Sequence, residues 1–215
     1  LDLRRIKERR AILSEQLTTG NRIVRLGQDP TGAALIVDFQ TSIGRNDQYV
    51  KQINSAASYL TETETALDSV NTSLTRLLEL APSLESTSAT ASDRLQMVPE
   101  VDGILSGLLA VANTQQQGKY LFAGTNTTTV PFTQTAAGAT YHGDSGQISL
   151  DISMSASVVT NLTGVQVFQG IGGEGSATDM FQQVTDLREA LKNNDTLGIT
   201  QACKNLKQVF SAFQT

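Results

Sequence analysis

The 215 residues include one cysteine, no tryptophan, one histidine and four prolines, and aromatic residues make up only 5% of the chain. A single thiol excludes an internal disulfide and any zinc site assembled from several thiolates. With so few rings the core must be aliphatic and alanine-rich, a composition that suits helices packed on helices better than a sandwich of sheets. The formal net charge of -5 argues against a nucleic-acid binder. No run approaches the ~20 apolar residues of a membrane span, and no signal-peptide pattern is present. The sequence opens at Leu1 already in a helical pattern and stops at Thr215 just after one, so both termini are expected to be trimmed.

What the chain does have is helical periodicity. Leu3, Ile6, Leu13 and Leu17 recur at three-four spacing, with Arg10 in the same row, and Gly20 offers a C-terminal stop. Asp29 followed by Pro30 predicts a helix start. The carboxylate can accept from first-turn amides, and proline at the first position gives up an amide that had no partner. From there a seam runs through Ile36, Phe39, Ile43, Asn46, Val50, Ile53, Ala57, Leu60, Glu64, Leu67, Asn71, Leu74, Leu78 and Ala81. Eleven of those fourteen positions are apolar, a sustained heptad pattern that predicts coiled-coil packing.

As one helix, residues 30–81 would span roughly 75 Å at 1.5 Å per residue. A compact chain of this length has a radius of gyration of only about 17 Å, so the expectation is an elongated rod. Pro82 is expected to stop this helix, the small polar run to Asp93 to turn the chain, and a return helix kinked at Pro99 to end at Gly118. Two further helices are expected over 178–193 and 197–213. The latter carries a stripe of Ile199, Cys203, Leu206, Phe210 and Phe213, with Cys203 as a small buried hydrophobe.

Between Tyr120 and about Gly175 the texture changes to Gly, Thr, Ser and alternating aliphatics. QISLDISMS places Ile148, Leu150, Ile152 and Met154 on one face of a strand, and SVVTNLTGVQVF supplies one or two more. The fold class is therefore α+β, mainly α: an antiparallel helical bundle or coiled-coil rod with a small inserted β domain. Residues 1–119 with 176–215 form the helical domain, and 120–175 form the β module, which is expected to contribute little to the packing of the rod. Gly118, Tyr120, Leu121, Phe122 and Gly124 mark the junction.

Few residues offer chemistry. GIGGEG at 170–175 fits a dinucleotide-loop pattern and follows VQVF, but its helix is expected to start at Ser176 or Thr178, beyond the last glycine. That helix leads to another helix instead of a parallel strand, so a flexible linker is the better reading. His142 and Asp144 provide two metal ligands, too few for a site, and Gly143 between them suggests a tight turn. Glu62 and Glu64 lie two apart on a helix and point to different faces. RRIKERR at 4–10 carries five cations against one acid, while residues 61–102 carry eight acids against Arg76 and Arg94. Opposite charges on helical faces predict docking within or between subunits.

Two stretches carry a resemblance. LTTGNRI with DPTGAA, residues 17–34, resembles the N-terminal signature of the flagellin superfamily. LLAVAN followed by GKYLFAGTNTTTVPF, then YHGDSGQISLDIS and VTNLTGVQVF, is similar to its hook-filament junction branch, the hook-associated protein 3 family. The resemblance covers nearly the whole chain. It implies a structural, non-enzymatic protein without cofactors or metals, exported by the flagellar type III apparatus without a cleaved signal peptide. Its partners would be further copies in a ring, the hook-side junction protein (hook-associated protein 1), flagellin and an export chaperone, with neither nucleic acid nor membrane. Filament flagellin itself is the near alternative, and a surface hydrolase acting through the β module is the alternative of a different class.

Overall fold

The computed structural model describes residues 2–23, 27 and 29–214. It is mainly helical: α1 Asp2–Thr19, α2 Pro30–Leu84, α3 Ala91–Ala112, α4 Met180–Lys192 and α5 Thr196–Phe213. Between α3 and α4 lie three antiparallel strand pairs, β1 Gln115–Gln116 with β2 Lys119–Tyr120, β3 Phe132–Thr135 with β4 Gly138–Tyr141, and β5 Ser149–Asp151 with β6 Ser157–Val159. A five-residue π-helical turn, Val165–Gln169, follows them. By its contacts the chain divides into two compact units, Leu1–Gln52 and Ile53–Thr215.

Local chemistry sets the ends of these elements. Gly20 takes a left-handed φ of 69° after α1, the conformation glycine adopts without penalty. Asp29 Oδ1 accepts from the Gly32 amide at 2.9 Å and starts α2 at Pro30. Pro82 does not stop α2, which ends two residues later at Leu84. This close to the C-terminus the proline removes one ladder bond, and the helix still closes with Glu85 N donating to Ala81 O. α3 likewise runs through Pro99, which sits on its exposed side. Its start is a capping box that the sequence reading left inside the turn: Asp93 N donates to Thr90 Oγ1, and Thr90 N donates to Asp93 Oδ2. The helix ends at Ala112, six residues before Gly118, because Gln117 and Gly118 both take positive φ, 51° and 78°, and turn β1 into β2. α3 is also long and apolar enough to cross a membrane, which the sequence reading allowed to no segment. Its Val98, Val101, Leu105 and Leu108 are buried within the protein core.

The unit Ile53–Thr215 holds one core. α2 contributes a stripe of Ala66, Val70, Leu74, Leu77, Ala81 and Leu84, and α3, α4 and α5 close around it. In α5 the expected stripe is present, with Ile199, Cys203 and Leu206 buried and Phe210 and Phe213 packed at the edge. The segment 120–175 is not a bystander to this packing. Phe122, Phe132 and Phe168 are fully buried and join Phe181 of α4 in one aromatic cluster, with centroids 5.0–5.5 Å apart. The expectation that the helices owe little to that segment is therefore corrected. Scarce rings are concentrated here, four of the seven phenylalanines, where each buries a large apolar area and packs edge-on or tilted against its neighbours. Phe168 also explains why VQVF is not a strand: the π-helical turn aims this ring into the cluster.

Candidate assembly surface

In the unit Leu1–Gln52 the only buried side chain among the described residues is Ala33. α1 exposes Leu3, Ile6, Leu13 and Leu17, the last to 85%. α2 in the same unit exposes Leu35, Ile36, Val37, Phe39, Ile43 and Val50, with Phe39 at 64%. Surface apolar residues scattered singly are normal, whereas rows of them along two helices mark an interaction surface.

The turn that joins these helices is locally well built. Gly20 N donates to Gln16 O, Arg22 Nη2 pairs with Asp29 Oδ2 at 2.8 Å, and Ala33 N donates to Asp29 O. The Gly32 amide and then the Arg22 guanidinium hold the Asp29 carboxyl below its ordinary range. A Cβ on Gly32 would come within 2.6 Å of Asp29 Oδ2 and of Ile23 Cδ1, so a larger residue there would have to displace these two side chains. Leu35, Ile36 and Phe39 line a cleft of about 550 Å³ beside this turn, with Asn21, Arg22 and Ile23 on the opposite side.

The expected seam divides in the structure. Ile36, Phe39, Ile43, Val50, Ile53 and Leu60 are exposed, Leu67 and Leu78 are half-buried, and Leu74 is buried. Within Ile53–Thr215 the buried stripe of α2 instead begins at Ala56, Thr63, Ala66 and Val70. This row of mainly small side chains, not the larger Leu60 and Leu67, is the one that packs inward. A search for large apolar residues at heptad spacing passes over such a row.

The junction stretch is a buried strap. Leu121, Phe122 and Ala123 are fully enclosed, and their carbonyls all have partners: Tyr59 Oη donates to Leu121 O, Tyr141 Oη and Gly164 N both donate to Phe122 O, and Asn126 N and Asp144 N donate to Ala123 O. Tyr120 N donates to Thr127 O, and Gly118 and Gly124 both take left-handed φ. Asn113, which the sequence reading did not single out, fastens β3 by accepting from Phe132 N and donating to Phe132 O, both at 2.9 Å.

The remaining candidates serve as fasteners. Asp144 accepts from Thr125 N, Thr125 Oγ1 and Gly146 N, which hold its carboxyl low, while His142 Nε2 shares a hydrogen bond with Thr133 Oγ1 on the other strand. The helix after GIGGEG starts at Met180, and its cap is Asp179, not Ser176 or Thr178; the carboxylate accepts from Gly175, Phe181 and Gln182 amides. With VQVF helical and the cap four residues beyond the last glycine, these amides do not face a phosphate pocket. Burial pushes the Cys203 thiol up to about 11, leaving it protonated near neutrality. Among the described residues, no group of three metal-ligating side chains is assembled.

Residues 2–127, which include α1, α2, the exposed rows and the strap, match the model of the bacterial flagellin N-terminal helical region. The chain belongs to this family. Among its relatives, flagellar hook-associated protein 3 of Salmonella typhimurium is 28% identical over 189 residues, covering 84% of this chain and 59% of that protein. The chain thus spans about three-fifths of the length of that relative. The structure of Bacillus cereus FlgL superposes with a TM-score of 0.63 over 80% of this chain and 85% of that one, at 23% identity, which shows a shared fold. The flagellar junction protein FlgL from Legionella pneumophila is 30% identical, with a TM-score of 0.55 over 65% of this chain and 42% of that one.

Proposed function

We propose that this chain is a structural part of the bacterial flagellum, placed in the ring that joins hook to filament and serving as the layer on which flagellin assembles. The observation that carries this is the sequence similarity to flagellar hook-associated protein 3 over 84% of the chain. The exposed apolar rows of α1 and α2 support it physically, since a subunit that works by stacking must keep surface in reserve for its neighbours. In this reading the partners are further copies, the hook-side junction protein, flagellin and an export chaperone, and the chain leaves the cell through the flagellar export apparatus without a cleaved signal.

The division of labour follows the same reading. The helical part, residues 1–119 with 176–215, carries the stacking contacts, and 120–175 is a module braced on α4. Filament flagellin is the second reading, favoured by the flagellin description of the family that residues 2–127 match.

The test is a strain lacking its hook-associated protein 3 gene, with hooks that bear no filament and flagellin lost to the medium. The full-length protein containing this chain should restore filaments in that strain. Restoration instead in a strain lacking flagellin would decide for the second reading, and failure in both would remove the flagellar assignment.

A further inference from the structure

The turn between α4 and α5 holds an asparagine where the geometry favours glycine. Asn194 N donates to Leu191 O at 3.2 Å and Asp195 N donates to Ala190 O at 2.9 Å, the pair of bonds that closes a helix over a left-handed residue. That residue is Asn194, with φ 51°, and Asp195 behind it caps α5 by accepting from the Leu197 and Gly198 amides. Glycine takes a left-handed conformation without penalty, and asparagine does not. The side chain of Asn194 does what glycine could not: its Oδ1 accepts from Arg94 Nη1 at 2.6 Å, across 100 residues of sequence.

Arg94 lies on α3 at 5% exposure, and it forms no ion pair among the described residues. Asp93, whose carboxyl feels its charge, is committed to the Thr90 amide and hydroxyl. The guanidinium donates instead to Leu84 O at 3.4 Å and Ser86 O at 3.0 Å, carbonyls at the C-terminal end of α2, where the helix dipole favours a cation. A buried charge is tolerated only while its hydrogen bonds are made. Two of the three acceptors are close in sequence and belong to the α2–α3 turn, and the third arrives only when the α4–α5 turn is seated.

We propose that Arg94 and Asn194 form a latch that couples the turn end of the α4–α5 hairpin to the α2–α3 turn, so that this end opens only together with the rest of its unit. The opposite end of α4 is anchored differently, by Phe181 in the aromatic cluster. Between the two, Arg188 reaches Asp102 at 3.4 Å, an acid 45% exposed and therefore a weak tie. Lifting the α4–α5 turn away would strip Arg94 of the acceptor on Nη1 while Leu84 and Ser86 still hold it under the surface. A partly opened hairpin is penalised by that unmet donor, and the two turns move as one.

The test is native-state amide hydrogen exchange on the full chain. Asn194 is exposed, so replacing it leaves the core in place. At an ordinary helix end Asn194→Gly would relieve the left-handed residue and slow local opening. Here it should quicken exchange at Leu191, Ile199 and Cys203 by about tenfold, the scale of a hydrogen bond to a charged group, while Val70 and Leu74 of α2 exchange as before. Asn194→Asp offers Arg94 a carboxylate and should slow the same three amides. Arg94→Met should quicken them, and Asn194→Gly added to it should cause no further loss. The proposal is overturned if Asn194→Gly slows the turn or leaves it unchanged, or if Asn194→Asp does not slow it. It is equally overturned if Val70 and Leu74 quicken by the same factor, which is a plain loss of stability, or if the two changes add. Where Arg94→Met does not fold, the two Asn194 variants decide the matter between them.

Discussion

The two units spend their apolar residues in opposite ways. Ile53–Thr215 buries Leu74, Val101, Leu108, Phe122, Phe168 and Leu187 in one contiguous core, while Leu1–Gln52 buries only Ala33 among its described residues and leaves Leu17, Phe39 and Ile43 in solvent. Isolated helices are marginal, and most helical stability in proteins comes from a packed face. Among the described residues the first unit is held by its turn chemistry, the second by its own interior. A stability measurement on the free chain reports the second unit; an assembly measurement reports the first.

The comparison breaks most sharply at Phe168. Phe168→Ala removes a ring that touches Phe122, Phe132 and Phe181, and it should cost about 3–5 kcal/mol in denaturant unfolding. Phe39→Ala, a ring of equal size in the other unit, should change the same measurement by less than ~0.5 kcal/mol and yet impair assembly. Equal costs for the two would show that the first unit has a hidden interior.

Capping comes next. Asp179→Ala leaves the Gly175, Phe181 and Gln182 amides without their acceptor at a buried helix start, and about 1–2 kcal/mol should be lost from the melting of the second unit. Asp29→Ala should leave that melting unchanged and appear only as faster amide exchange over residues 32 and 33.

A smaller effect is expected from acid. Asp93, held low by the Thr90 amide and hydroxyl, and Asp144, held low by Thr125 and Gly146, each add stability that is complete above their unfolded pKa and is lost as pH falls through the folded one. Asp179 has the opposite sign. Burial raises its pKa, so its contribution is present at low pH and is lost as pH rises through the folded value. Melting temperature should therefore fall on acidification through the carboxylate range, less steeply in Asp144→Asn and more steeply in Asp179→Asn. Parallel slopes in the three proteins would contradict this assignment.

How much could be read from the sequence differs between the same regions. The start of α2 was legible because Asp29 and Pro30 act within one turn and need no tertiary partner. The start of α4 was not, because Ser176 and Thr178 are equally good caps in isolation, and Asp179 wins through the amide of Gly175 behind it and the burial of Phe181 ahead of it. VQVF had strand composition, and a contact across the core set its backbone instead. The exposed apolar row of α2 and the fastened strap at Tyr120–Gly124 were visible as motifs. Their opposite fates, one outside and one enclosed, were not, since periodicity reports a face without saying what covers it.

Cys203 lies on the buried face of α5, fully enclosed, and its thiol stays protonated near neutral pH. As the chain's sole sulfhydryl, it can act as a built-in clock. An alkylating reagent reaches it only when α5 lifts away, so the rate of labelling measures how often the second unit opens. For a protein proposed to leave the cell through the flagellar export apparatus, that rate distinguishes an open chain from one that has closed. It does so without an engineered residue and without altering the exposed rows of α1 and α2.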